Sequence, residues 1–448
     1  MEPFAGFLAI AQWLSFLTCI AYIFGARIPL PVVWTVAGLV LAAFAWTAVT
    51  MIVLPGDAIL FWKAGDAVWK RANPYHGTFV LNPPPSLIWY AALALIPQGP
   101  YLVLWRLLCT ISFGGAAFAV QGALGREPKD RPWGLPSAAV ALFASAVAIS
   151  VSSRLGLLVL NSTFLTTVCI LGALACRDRA RPVAAGILLA LASVKITTLL
   201  PFLLLFFRPQ DRKTWIALIA AGLLFTVVAV PPSGLPAALR TCLANISEEN
   251  SQGQMSDYSF ESDTNTDLVS LNYAIYHLGI RDRGWVRIAQ LLLTVALGIW
   301  VTRQIYRSPS ISHAPACAIV ACYSVLFLYH RLYDMTILAI PLIYCAGRGL
   351  QESGPFRWAY RLCAAGLLWV LHLRLNVLER FIPRAKEGGF AGRLIEAVLL
   401  PQATWIVLAA LIVLIVTERR LASPAASPLP AAPPGDAPIS DATSPRRA

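Results

Sequence analysis

The 448 residues are 58% hydrophobic and only 13% charged, with a mean hydropathy of +0.68. These fractions lie outside the range of soluble domains and point to an integral membrane protein. The net charge of +13 does not indicate nucleic acid, because the basic residues sit in short loops between apolar runs, where they set topology.

Apolar runs near 4–24, 32–54, 100–121, 136–152, 157–176, 214–231, 285–304, 315–329, 333–347, 358–373 and 398–416 predict about 11 spanning helices. No run alternates with the period of a barrel strand, so the expected fold class is all-α, a polytopic transmembrane bundle over residues 1–420. Glu2 and no basic cluster precede Phe4 to Phe24, which reads as a retained helix, not a cleaved leader. The nine cysteines are scattered, with no CxxC, and imply neither a disulfide framework nor a zinc site.

The first outer loop, "LPGDAILFWKAGDAVWKRANPY", mixes charge and aromatics beside an apolar run. Asp57 stands at the outer end of a membrane helix, where a carboxylate can take a proton from an incoming hydroxyl; a solvated helix-end aspartate is the simpler reading. Residues 59–69 can wind as an amphipathic helix lying in the interface. Asp66 is then either a surface charge paired with Lys63 or Lys70, or a substrate contact, and Arg71 can meet a lipid phosphate. "SLIWYAALALIP", 86–97, is too short to cross and either lies at the interface or re-enters.

The run 183–207 carries arginines at both ends and Lys195 in its middle, so a straight crossing would strand one basic cluster on the wrong side. A hairpin broken near Lys195 satisfies the charge rule and leaves that lysine at its tip, either snorkelling or contacting a phosphate. Loops such as "RDRARP" and "RPQDRK" then fall in the cytoplasm, and 55–84, 232–283, "HRLYD" and 376–396 fall outside. The loop 232–283 either shapes an acceptor cleft or is ordinary solvated chain; Asp257, Asp263 and Asp267 lack calcium-loop spacing, and no metal is expected. His330, Arg331 and Asp334 lie between two apolar runs, a costly place for ionisable groups and thus a functional candidate, unless the cluster merely satisfies itself. The Pro/Ala/Ser-rich tail, 421–448, is expected to be a disordered cytoplasmic extension.

Asp57 beyond an early helix, then "NPY" and "NPPPSLIWYAALALIP", resembles the first outer loop of polyprenyl-phosphate-sugar-dependent glycosyltransferases of the GT-C superfamily, and within it family 87, the membrane mannosyltransferases and their arabinosyl relatives. The resemblance extends over about residues 50 to 345. It implies that Asp57 is the general base and that Asn73, Pro74, Tyr75, Pro83 and Pro84 define the loop's shape, with Tyr75 at the substrate. "AAGILLALASVKITTLLPFLLLFFR" matches the family's hairpin through Lys195 and Pro201, "LVLNSTFLTT" places Leu160 and Asn161 on its Gly-Gln segment, and "YHRLYD" supplies the matching His330.

The expectation is an inverting glycosyltransferase of the bacterial inner membrane. It would move a hexose, mannose first, from a polyprenyl-phosphate sugar to a lipid-linked or envelope glycan acceptor on the outer face, needing no cofactor. Asp57 would be catalytic, with Asp66, Arg71, Tyr75, Lys195, His330, Arg331 and Asp334 at the substrate. The rival is a transporter or flippase, whose charges would line a passage near the midplane of two related halves; no second copy of "GDA…NPY" is found.

Overall fold

The computed structural model describes residues 2–50, 56–78, 80–124, 135–254, 256–262, 265–307, 313–373 and 375–421. The carboxyl tail, Asp263 and the loop 125–134 lie outside them.

The protein is an all-α polytopic bundle. Its amino-terminal half runs through α1 (Glu2–Ile23), α2 (Leu30–Thr50), α3 (Asp57–Trp69), α4 (Leu87–Ala94), α5 (Gln98–Leu124), α6 (Ser137–Ile149), α7 (Val151–Val159), α8 (Thr163–Asp178), α9 (Pro182–Leu191), α10 (Ile196–Phe202) and α11 (Arg212–Ala229). The remainder comprises α12 (Leu235–Glu249), α13 (Leu271–His277), α14 (Arg283–Arg307), α15 (His313–Phe327), α16 (Ala339–Gln351), α17 (Gly354–His372), α18 (Leu375–Glu379), α19 (Ile382–Glu387), α20 (Gly389–Leu394) and α21 (Gln402–Leu421). Prolines mark several starts, Pro182 in α9, Pro236 in α12 and Pro355 in α17, positions where a missing N–H breaks no helical bond.

Five helices among the described residues are long and apolar enough to cross a membrane, or up to eight if each bent pair is one span. This is fewer than the apolar runs suggested, for a physical reason. The runs at 315–329 and 333–347 yield helices of only 15 and 13 residues, because the chain between them leaves the α-conformation to build a polar crossover. The run at 157–176 likewise breaks at Leu160, which adopts a left-handed φ of 53°. Buried α15 and α16 form the centre against α17 and α21. On the outside, α11 and α14 present Leu223, Leu224, Val228, Leu291, Leu292 and Ile299, an apolar surface of the kind a membrane-spanning helix turns to lipid.

The 25 residues from 182 to 206 would suffice to cross, yet their two ends lie together. Arg177 Nη1 donates to the Leu205 carbonyl at 2.6 Å, and Trp215 Nε1 donates to that of Phe206 at 2.7 Å. At the other end, Gly186 is pressed so close to α11 that a Cβ there would stand 2.5 Å from the Thr214 carbonyl. Since Thr214 and Trp215 are neighbours, 186 and 206 are close in space, whereas a straight helix would part them by about 30 Å. The run is therefore a re-entrant hairpin, as its flanking arginines predicted.

A 3-10 turn, Ala192–Lys195, makes the reversal, and Lys195 itself leaves helical geometry at φ −134°, ψ 82°. The tip's free carbonyls are answered by side chains: Trp89 Nε1 on Leu191 at 3.1 Å, Thr166 Oγ1 on Ala192 at 3.3 Å, and Asn82 Nδ2 on Val194. The polar stretch after α2, through α4 and Asn82, thus sits on the hairpin tip.

Candidate active site

Four chain segments converge at the tip's level. Asp57 is the first residue of α3, and Gly56 before it packs against the last turn of α7, where a Cβ would stand 3.1 Å from the Val159 carbonyl. That contact brings Asp57 beside the break between α7 and α8. There the left-handed Leu160, its carbonyl held by Trp105 Nε1 at 2.6 Å, turns Asn161 toward α3. Asn161 Nδ2 donates to Asp57 Oδ2 at 3.0 Å.

Thr163 extends the network. Its N–H donates to Asn161 Oδ1 at 2.9 Å, and its hydroxyl oxygen lies 2.6 Å from that same oxygen and 2.6 Å from Asp334 Oδ1. Asp334 also carries Lys195 Nζ at 3.2 Å, His330 Nδ1 at 3.3 Å and the Arg331 backbone N–H at 3.3 Å. A buried carboxylate with that many partners is compensated in the way a low-dielectric site demands. Lys195 also lies over the Tyr333 ring, 5.5 Å from its centroid.

The crossover holds a two-stranded antiparallel ribbon. β1 (Leu268–Val269), between α12 and α13, pairs with β2 (His330–Arg331), Leu268 opposite Arg331 and Val269 opposite His330. The ribbon sets the Arg331 guanidinium on Asp267, Nη1 to Oδ2 at 3.0 Å and to Oδ1 at 3.3 Å. His330 is buried, and its Nε2 finds no hydrogen-bond partner among the described residues.

Burial pushes the Asp57 carboxyl above the usual carboxylate range, opposed by Lys195 and by the Asn161 hydrogen bond and reinforced by Asp334. The residue as a whole is half-buried. Burial likewise pushes Asp267 up to about 6 against the pull of Arg331, and raises Glu249, which closes α12 near Arg331 and Asp57. Among the described residues no group of three or more His, Cys, Asp and Glu is disposed to hold a metal ion.

Of the residues singled out in the sequence, Asp57, Lys195, His330, Arg331 and Asp334 come together. Three others do not join them. Asp66 pairs with Lys70 at 2.6 Å, the surface pairing foreseen as its simpler role. Arg71 is exposed in a turn at φ 55°. Tyr75 is buried and donates to the Asn82 carbonyl at 2.9 Å, supporting the loop that caps the hairpin. Sequence reasoning missed Thr163, Asp267, Glu249 and Tyr333. The Asn-Ser-Thr triplet inside an apolar run was a usable signal for the first; nothing in sequence marked Asp267, which had been weighed only as a calcium ligand.

The family model described as glycosyltransferase family 87 matches residues 79–328, more than half of the chain. That stretch contains Asn161, Thr163, Lys195 and Asp267, and Asp57 and the crossover flank it. No curated protein and no solved structure matches.

Proposed function

The chain belongs to glycosyltransferase family 87, and from that premise we propose that it transfers a hexose, mannose first among candidates, from a polyprenyl-phosphate donor to a hydroxyl of a lipid-linked or envelope glycan. The reaction takes place on the outer face of the bacterial inner membrane. Asp57 takes the acceptor's proton, the freed oxygen attacks the anomeric carbon, and the bond from that carbon to the phosphate oxygen breaks with inversion. The polyprenyl phosphate departs as an anion, so no cofactor enters the balance.

One observation carries this reading. The Asp57 carboxyl, raised by burial, shares a network with two cations, Lys195 and Arg331, each tied to an acidic residue that an entering phosphate can replace. The base must be deprotonated yet basic enough to take the hydroxyl proton, and the leaving group needs positive charge; the cluster offers both within one end of the bundle. Acid residues on the cations in the resting state also keep the buried charges paired until donor arrives. Asp334 holds Lys195, and Asp267 holds Arg331. Asp66, Arg71 and Tyr75 act in this reading through the loop's placement in the interface and on the hairpin. A transporter or flippase would be built from two related halves, and the sequence holds no second copy of "GDA…NPY".

The test is transfer of label from radioactive polyprenyl-phosphate mannose into membrane lipids and glycans, in membranes with and without the protein, against a nucleotide-mannose donor. Incorporation only from the lipid donor supports the reading. Incorporation from neither donor, with other polyprenyl-phosphate hexoses equally inert, overturns it.

A further inference from the structure

We infer that Asn161 is a positioning residue for Asp57, locked by Thr163, which fixes the carboxylate oxygen presented to the acceptor. The inference rests on Asp57 being the base and extends that reading to a residue with no contact to the reacting atoms.

The geometry leaves the Asn161 amide one orientation. The Thr163 backbone N–H can only donate, so the Asn161 atom 2.9 Å from it is the carbonyl oxygen, and the amino group must face Asp57. Nδ2 then occupies Asp57 Oδ2 at 3.0 Å, leaving Oδ1 for an incoming hydroxyl. The Thr163 hydroxyl has one hydrogen and two acceptors at 2.6 Å, and the Asp334 carboxylate is the stronger of the two. Thr163 therefore spans the base side and the cation side of the site.

The backbone pays for this aim. Leu160 has no glycine's freedom at φ 53°, a conformation that costs about 1 kcal/mol or more in a leucine. It is kept by Trp105 Nε1 on its carbonyl and by Cys109 Sγ, 3.5 Å from that of Asn161. Strain held by buried partners at the one turn that delivers Asn161 to Asp57 is the signature of a residue placed for its contact.

A donated hydrogen bond favours the charged carboxylate, so Asn161 also limits how far burial raises Asp57. The charged and titratable groups facing Asp57 are Lys195 from the hairpin, Arg331, Tyr333 and Asp334 from the crossover, Glu249 from α12 and Tyr90 from α4. None of them changes when Asn161 does.

The experiment is the pH dependence of kcat/KM for sugar transfer from polyprenyl-phosphate mannose by the purified full chain, wild type against Asn161→Ala and the isosteric Asn161→Asp, with Asp57→Asn as reference. The acid limb is expected to move to higher pH in Asn161→Ala and further in Asn161→Asp, where a like charge stands beside the base. A shift of one unit costs about tenfold in rate on the acid side and little on the alkaline side. A uniform loss at every pH, with the limb unmoved in both variants while Asp57→Asn is inactive, overturns the positioning role and leaves the base standing. Full transfer by Asp57→Asn overturns the base reading and this inference with it. The isosteric variant keeps the test decisive if the alanine variant fails to fold.

Discussion

Lys195 Nζ stands 3.2 Å from Asp334 Oδ1, joining the tip of a re-entrant hairpin to the crossover between α15 and α16. Both side chains are largely withdrawn from solvent, 19% and 3% exposed, so each depends on the other for its charge to be tolerated. Lys195→Met alone, which leaves the buried carboxylate without its cation, is expected to cost about 3 kcal/mol or more, while Lys195→Met with Asp334→Asn, which removes both charges and keeps an acceptor for Thr163 and the Arg331 N–H, costs less. Thermal unfolding of the two single variants and the double variant measures this. The double variant is expected to regain stability without regaining transfer, which separates the cation's catalytic use from its structural pairing.

The hairpin makes a topological prediction. Single cysteines at Arg179 and Gln210, both exposed, should react with a membrane-impermeant thiol reagent from the same face. Labelling from opposite faces would mean that residues 182–206 cross.

Packing supplies a second handle on the same element. Gly186→Val would bring side-chain atoms against the Thr214 carbonyl and the Ala217 Cβ, which a single added Cβ already meets at 2.5 and 2.6 Å. Backbone cannot yield to a branched side chain there, and a loss of about 2 kcal/mol or more is expected, read as a lower melting temperature and reduced transfer. Gly222→Val, at a helix position with nothing within 4 Å, is the matched control and should be near neutral.

Asp267 predicts a pH effect with a definite sign. Its carboxyl is raised to about 6 in the folded protein, so between the ordinary aspartate range and that value the folded state binds the proton more tightly than the unfolded state. Stability from this group is full at low pH and falls as pH rises through that window, by about 3 kcal/mol. Asp267→Asn lacks the slope, so its melting temperature relative to wild type should rise between about pH 4 and 7 and be level above it. A difference that does not change with pH would contradict the assigned shift.

Much of this arrangement was legible in the chain because bilayers tax polar groups. Asp57, Lys195 and the His330–Asp334 stretch stood out as ionisable residues at the ends or in the middle of apolar runs, and the doubled arginine clusters around 183–207 forced the hairpin. The neighbours of Asp57 were misleading for a helical reason. Asp66 lies nine positions along α3, about two and a half turns, which sends it to the opposite side of the helix from Asp57.

What stayed hidden depends on backbone events without a compositional mark. The turn that delivers Asn161 and Thr163 relies on a leucine in a left-handed conformation, a place where sequence reasoning expects glycine or asparagine. Asp267 reaches Arg331 only because two residues between α12 and α13 pair with two from the crossover. Such a ribbon is too short for any periodicity to announce.

The central claim is that Asp57 is the base of a lipid-phosphate-dependent sugar transfer. The most direct measurement is the transfer rate of purified wild type and Asp57→Asn, at equal abundance and equal melting temperature, from polyprenyl-phosphate mannose over about pH 5 to 9. The prediction is a loss of roughly 10²–10⁴-fold in the variant, with a wild-type acid limb above the usual carboxylate range. A variant whose rate stays within about threefold of wild type across that range would contradict the account, since removing a general base cannot cost so little.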